Sequence, residues 1–437
     1  MNYAGRHVLV LGAARSGRAA VDLLLRAGAR VAVYDRNPDA LAGLAPGVET
    51  LSGAKAPSFD AFDAVVVSPG IHTYAHDKAI PEVDLAAQFL DAKLVGVTGS
   101  NGKSTTTTLI GEMLRESGFD TGVGGNIGTA LCSLVGEGKA WLVAELSSFQ
   151  LEHARELHAD VAVLLNLAPD HLDRHGTLER YGEAKARLAL LQRGDAWLVA
   201  NRDDEWARGV AGRAPARVAE FSTRAPVSSG AWLEGETLVL TRDGDRRARI
   251  PLAELSTAAK RPVANALAAA AAADVAGASE SAIRAVLARF EGLPHRVRDV
   301  CVRRGVRYVD DSKATNPAAA AASLLAQTAP VIWLAGGRNK GLAFAELADV
   351  ARRARVRAAI LYGESAGELE RALAEAVPVE LAKDLAEAIA RAAALAQPGD
   401  VVLLAPACAS FDQFKSFEER GQRFAELARA LPEGAAC

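Results

Sequence analysis

Short apolar runs recur along the chain, each closed by a glycine-bearing or polar turn and followed by a stretch whose apolar positions fall three and four residues apart. Runs that are apolar throughout suit strands buried on both faces, and the intervening periodicity suits helices laid over a parallel sheet. His7 to Leu11 is the first such run; it opens into Gly12-Ala13-Ala14-Arg15-Ser16-Gly17 and a helix predicted through Ala27. Arg30 to Tyr34 ends at Asp35, and Val65-Val66-Val67 ends at Ser68-Pro69-Gly70. A second series holds Leu94 to Thr98, Trp141 to Glu145 and Asp160 to Leu167. A third holds Arg307 to Asp310, Val331 to Ala335, Ala358 to Tyr362, Val377 to Leu381 and Val401 to Leu404. Between these two series, from roughly Arg193 to Ile250, shorter runs around the turn Arg242-Asp243-Gly244-Asp245 predict a small antiparallel insertion. Alanine-rich helices are predicted over Val263 to Ala276 and Ser281 to Phe290.

The second series opens with Leu94-Val95-Gly96-Val97-Thr98-Gly99-Ser100-Asn101-Gly102-Lys103-Ser104-Thr105, and Leu109, Met113 and Leu114 then keep helical spacing. Strand, glycine loop and helix in that order form a phosphate cradle, in which backbone N–H groups and the helix N-terminus face an anion. Lys103 is placed to reach terminal phosphates and the Ser104 hydroxyl to bind Mg²⁺, while Gly99 and Gly102 let a polyphosphate approach the backbone. The strict pattern places a glycine where this chain has Val97; its glycines fall at Gly96 and Gly99. The sequence therefore predicts an α/β protein of three domains. These are a Rossmann-like N-terminal domain over residues 1–91, a P-loop mononucleotide-binding domain over residues 92–291, and a Rossmann-like C-terminal domain over residues 292–437, the last entered through Gly292-Leu293-Pro294.

Composition narrows the partners. At 437 residues the chain exceeds the roughly 250–300 at which one core stops growing, so several domains are required. A formal charge of −3 and a pI near 6.3 argue against nucleic acid. No apolar run approaches the roughly 20 residues that span a bilayer, and the N-terminus lacks a signal-peptide layout; a cytoplasmic, monomeric protein that binds neither membrane nor nucleic acid is expected. Cys132, Cys301, Cys408 and Cys437 are scattered without a Cys-x-x-Cys pair, which suggests neither a disulfide framework nor a zinc site.

Other clusters sit at predicted strand ends. Asp35 is placed to accept hydrogen bonds from a ribose or a base. Glu145 ends an apolar strand as a Mg²⁺-holding carboxylate does beside a phosphate loop. Gly124-Gly125-Asn126-Ile127-Gly128 is a backbone-close turn. Asp170-His171-Leu172-Asp173-Arg174-His175 is open to two readings, a solvated loop or a metallohydrolase group. Lys185 shares a helix face with Tyr181, Ala184 and Leu188, so it is either turned inward or snorkelling to the rim. In the third series, Asp311-Ser312-Lys313-Ala314-Thr315-Asn316, Gly336-Gly337-Arg338-Asn339-Lys340-Gly341 and Pro406-Ala407-Cys408-Ala409-Ser410 follow three strands and predict one shared site. A dehydrogenase built on the first domain and a regulatory ATPase remain alternatives; the first leaves the phosphate loop unexplained.

Thr98 through Thr105, Gly125-Asn126-Ile127-Gly128, Glu145 through Glu152, Asp170-His171-Leu172-Asp173, Gly292-Leu293-Pro294-His295-Arg296 and Asp311 through Asn316 together resemble the Mur ligase family, over essentially the whole chain. The Asp-Ser-Lys-Ala-Thr-Asn run and Pro406 through Phe414 are similar to the branch that adds D-glutamate to UDP-N-acetylmuramoyl-L-alanine in cytoplasmic peptidoglycan precursor synthesis. That resemblance implies an ATP- and Mg²⁺-dependent carboxylate-amine ligase working through an acyl phosphate. It places ATP on Gly99, Ser100, Asn101, Gly102, Lys103, Ser104 and Thr105, with Asn265, Arg296, Asp311 and Lys313. It gives the UDP-substrate Ala14, Arg15, Ser16, Asp35 and Arg36 with Ser68, Pro69, Gly70, Asn126 and Ser147, and gives D-glutamate Thr315, Lys340, Ser410 and Phe417. Metal ligands would be Ser104, Glu145, His171 and a carbamylated Lys185, and the catalytic set Lys103, His171, Lys185 and Arg296. One departure is Arg261-Pro262, which stands where the family shows His-Asn ahead of Asn265.

Overall fold

The computed structural model describes residues 2–71 and 76–432, so Cys437 lies outside the described residues. The first sheet comprises β1 (His7–Leu11), β2 (Arg30–Tyr34), β3 (Glu49–Leu51), β4 (Ala64–Val67) and β5 (Ala79–Pro81). All five are parallel, in the order β3-β2-β1-β4-β5. Strand order reverses between β1 and β4, and the turns after them, Gly12–Gly17 and Ser68–Gly70, face the crevice where ligands of such sheets bind. The apolar runs behind this arrangement are buried almost completely, with Val8, Leu9 and Val10 at 0% exposure.

The second sheet holds β6 (Lys93–Thr98), β7 (Thr121–Gly125), β8 (Trp141–Glu145), β9 (Val161–Leu164), β10 (Trp197–Asn201), β11 (Arg217–Ser222), β12 (Gly230–Glu234), β13 (Thr237–Arg242) and β14 (Asp245–Pro251). Their order is β14-β13-β12-β11-β10-β9-β6-β8-β7. Here the structure corrects the predicted antiparallel insertion. β10, β11 and β12 are parallel continuations of the central sheet, and only β12 to β14 are antiparallel. For β10 and β11 the reason is the helix Glu205–Ala211, whose N-cap Asp204 accepts a hydrogen bond from the Ala207 N–H; it makes the crossover that this parallel pair requires.

The third sheet has β15 (Arg298–Arg303), β16 (Val306–Asp310), β17 (Val331–Gly336), β18 (Val356–Tyr362), β19 (Val379–Leu381) and β20 (Val401–Ala407), ordered β15-β16-β20-β17-β18-β19. β16 to β20 are mutually parallel. β15 is an antiparallel edge strand joined to β16 by a tight turn with Arg304 and Gly305 at positive φ. Residues up to Leu167 with Glu179–Glu291 form one compact unit, and Ala168–Leu178 with the chain from Gly292 form another.

Candidate active site

In the first unit the phosphate loop follows β6, between β9 and β8. Gly99 (φ +154) and Gly102 (φ +87) occupy conformations that side chains avoid, and neither site has room for one. A Cβ on Gly99 would meet Leu165 Cβ at 2.8 Å, and one on Gly102 would collide with the Asn265 side chain. The loop feeds the helix Lys103–Glu116, which is buried along Leu109, Ile110, Met113 and Leu114. Lys103 Nζ donates to the carbonyls of Gly99 (2.7 Å) and Ser100 (2.8 Å). The Ser104 hydroxyl donates to Glu145 at the end of β8 through a very short hydrogen bond, and Asn126 Nδ2 donates to the other oxygen of that carboxylate at 2.8 Å. Thr105 is half-buried beside them.

Lys185 lies on the helix Leu178–Leu190 and is 1% exposed, so the inward reading holds and the snorkelling one does not. Its ammonium sits 4.5 Å from the Tyr181 ring centroid and donates to the Gly99 carbonyl at 2.9 Å, the same oxygen that Lys103 uses. Loops from the first two sheets meet here as well: Arg15 donates to the Asn126 carbonyl at 2.7 Å. Ser147 is the N-cap of Ser148–Leu151 and is tied to Gln150 by a capping box. Asp35 accepts from the N–H groups of Ala13 (2.8 Å) and Asn37 (2.9 Å), so it shapes the β1 turn. Ser68 donates to the Gly12 carbonyl, Ser16 and Pro69 are half-buried, and Ala14, Arg36 and Gly70 are exposed.

In the second unit the three strand-end clusters come together. Ala407 N–H donates to the Ala314 carbonyl, while Arg338 and Ala409 exchange backbone hydrogen bonds at 2.8 and 3.0 Å. Arg420, fully buried, pins all three: it donates to the Ser312 hydroxyl (3.0 Å) and to the carbonyls of Ser312 (2.9 Å), Cys408 (3.1 Å) and Gly336 (3.4 Å). Asp170 accepts from Lys340 Nζ at 3.1 Å and from Asn316 Nδ2 at 2.9 Å, and His171 Nε2 stands 3.7 Å from it. Burial pushes the Asp170 carboxyl up, but the Lys340 ammonium and the His171 imidazole hold it below the usual carboxylate range. Asp311 is different. Burial raises its carboxyl to about 6, and the Arg296 guanidinium and the Val297 N–H offset this only in part. Lys313 Nζ stands 3.8 Å from the Phe417 ring centroid, Ser410 is buried, and Thr315 is half-buried.

Among the described residues no group of three or more His, Cys, Asp or Glu side chains is arranged to hold a metal ion. The oxygen set of Ser104 and Glu145 does fit Mg²⁺, which takes one or two protein oxygens beside substrate phosphates and water. Sequence reasoning missed Asn166 and Arg420. Both act on backbone groups 65 or more residues away in the chain, apart from the Cys408 carbonyl, and neither carries a local motif.

Two doubly wound sheets and a central sheet with a phosphate loop define a nucleotide-binding enzyme of the P-loop class. Residues 97–273 match the Mur ligase middle domain, and residues 289–408 match the Mur ligase glutamate ligase domain. The chain is 41% identical to the UDP-N-acetylmuramoylalanine--D-glutamate ligase of Pelotomaculum thermopropionicum, with 99% of each chain covered. It is 42% identical to the enzyme of that name from Anaeromyxobacter dehalogenans, with 97% of each covered. Among solved structures, the MurF ligase of Thermotoga maritima in complex with ADP shares the fold with a TM-score of 0.62 at 19% identity, covering 98% of this chain and 96% of that one. The chain belongs to the Mur ligase family.

Proposed function

We propose a division of labour within an ATP-dependent ligase that joins D-glutamate to UDP-N-acetylmuramoyl-L-alanine in peptidoglycan synthesis. The observation that carries the activity is the full-length likeness to D-glutamate ligases. The segments 1–91, 92–291 and 292–437 serve the UDP-substrate, ATP and the amino acid respectively. The substrate carboxylate attacks the γ-phosphorus of ATP, ADP leaves, and an acyl phosphate forms. The glutamate amine then adds to the acyl carbon, loses a proton, and the tetrahedral adduct expels phosphate.

Both steps concentrate negative charge, and the cations of this chain answer that need. Lys103 leaves the Gly99 and Ser100 carbonyls for the transferring phosphoryl group, and Arg296 supplies a second positive charge. Ser104 and Glu145 would hold Mg²⁺, which neutralises phosphate charge when bound. Lys185, as a carbamate, and His171 would support a second ion, and His171 also competes for the role of amine base. Arg15, Asn126 and Ser147 orient the UDP-substrate; Asn265, Asp311 and Lys313 orient the nucleotide; Thr315, Lys340, Ser410 and Phe417 hold glutamate. The proposal includes a cytoplasmic setting; no helix among the described residues is long and apolar enough to cross a membrane. The test is phosphate release with Mg-ATP. Release that requires both UDP-N-acetylmuramoyl-L-alanine and D-glutamate, with the ligated product identified by mass, supports the proposal. Release independent of glutamate would make the protein an ATPase.

A further inference from the structure

Asn166 follows β9 and has no role in the division above. The ladder between β6 and β9 ends at the pair Thr98 and Leu164, yet the two chains stay bonded beyond it. Leu165 N–H donates to the Thr98 carbonyl at 3.1 Å, and Ser100 N–H donates to the Asn166 carbonyl at 2.9 Å. The Asn166 side chain then grips the next residue at both of its polar backbone groups. Oδ1 accepts from the Asn101 N–H at 2.9 Å, and Nδ2 donates to the Asn101 carbonyl at 3.1 Å. Leu165 and Asn166 also fill the space beside Gly99, where a Cβ would stand 2.8 Å from Leu165 Cβ and 3.2 Å from Asn166 N.

The amide side chain thus does what a further residue of strand would do, at the point where β6 must leave the sheet to form the loop. A second consequence concerns donors. The N–H groups of Ser100 and Asn101 point at Asn166, so anion binding falls to the N-terminus of the helix Lys103–Glu116 and to Lys103 itself.

We infer that Asn166 is a positioning residue for the phosphate loop: its side-chain amide clamps the backbone N–H and carbonyl of Asn101 and fixes the loop in the shape that accepts the triphosphate. The inference rests on the reading of this loop as the ATP site. Two hydrogen bonds to the backbone of one residue, lost together, displace the loop that places Lys103, and a shift of that kind weakens nucleotide binding without touching the other substrates.

The experiment uses the whole enzyme. Asn166→Ala should raise the KM for ATP, and the Kd for ADP measured by calorimetry without the other substrates, by about tenfold to a hundredfold. The KM values for UDP-N-acetylmuramoyl-L-alanine and D-glutamate should stay within about threefold of wild type. Asn166→Asp keeps an acceptor for the Asn101 N–H but cannot donate to its carbonyl, and it adds a negative charge beside the phosphates. It should therefore bind ADP more weakly than the alanine variant, and it serves as the test if that variant fails to fold. An unchanged ADP Kd in either variant overturns the inference, as does an equal rise in all three KM values with a lowered Tm, which marks a merely structural residue. Wild-type enzyme that binds no ADP would instead overturn the assignment of the loop, so the two failures are distinguishable.

Discussion

Replacing Asp311 by Asn should stabilise the C-terminal sheet at neutral pH, and by an amount that depends on pH in a defined way. Asp311 follows β16, is 7% exposed, and carries a carboxyl raised by burial from 3.8 to about 6, with nearby Asp310 adding to the rise and Arg296 opposing it. For an acid whose folded value is raised, the protonated form is the one that folding favours. Its contribution is fully present below 3.8, the unfolded value, and is lost as pH rises through about 6. The difference between those values corresponds to about 3 kcal/mol at neutral pH. Asparagine keeps the shape and never ionises. The Asn variant should thus match wild type below about pH 4 and exceed it by up to about 3 kcal/mol above about pH 7. Hydrogen exchange of the β16 and β20 amides is the suitable assay, because it reports the third sheet alone in a chain that need not unfold in one step. In activity the direction reverses. The ionised carboxylate is the better acceptor for a nucleotide hydroxyl, so the KM for ATP in wild type should rise as pH falls through about 6, and the Asn variant should show a raised KM without that dependence. A wild-type-minus-Asn stability difference that is flat with pH, or of opposite sign, would refute the reasoning.

Lys103→Ala should lower turnover by at least about a thousandfold while UDP-substrate binding, followed by calorimetry, stays near wild type; ligation at the wild-type rate would sink the phosphate-loop assignment. Lys340→Ala should raise the KM for glutamate about tenfold to a hundredfold and that for ATP far less, since a charge-assisted pair is lost on one substrate only; an unchanged glutamate KM would move that pocket elsewhere. Lys185→Ala should lose about tenfold to a hundredfold in turnover, and added acetate or formate should restore part of it by occupying the vacated volume. Near-normal activity with no carboxylate effect would show that Lys185 is only structural.

The phosphate loop was legible because its geometry leaves a trace in residue type: Gly99 and Gly102 stand where no Cβ fits, and Lys103-Ser104 opens the next helix. The strand-end clusters were legible for a similar reason, since in a parallel sheet the carboxyl ends gather the ligand. Two stretches were not. Arg298-Asp299-Val300-Cys301-Val302-Arg303 is a half-exposed edge strand without strict alternation, and its charged residues read equally well as linker. β10 to β12 are short and interrupted by polar residues such as Arg217 and Glu220, and the seven-residue helix between β10 and β11 that makes their pairing parallel is too brief to stand out in the sequence. What escaped altogether were partners set by tertiary distance. Arg420 reaches Ser312 across 108 residues and Lys340 reaches Asp170 across 170, and no local pattern encodes either pairing.

Lys185 shows how the two kinds of information combine. The helical stripe of Tyr181, Ala184 and Leu188 points the side chain inward, but its charge state depends on what else arrives there. Lys103 and Lys185 donate to one oxygen, the Gly99 carbonyl, at 2.7 and 2.9 Å, so their nitrogens are at most about 5.6 Å apart. Two ammonium ions at that separation repel by about 3 kcal/mol at an effective dielectric of 20, a cost set against the Ser100 carbonyl that Lys103 also reaches and the Tyr181 ring beneath Lys185. An incoming triphosphate draws Lys103 away. Carbamylation of Lys185, in which the ammonium first gives up a proton and the neutral amine then adds CO₂ and releases a second one, would relieve the same repulsion from the other side: the carbamate N–H would still donate to Gly99, while the new carboxylate would attract Lys103 and offer oxygens to a cation. The chemistry proposed for the active enzyme is therefore also the arrangement that lets two lysines share this buried corner of the phosphate loop.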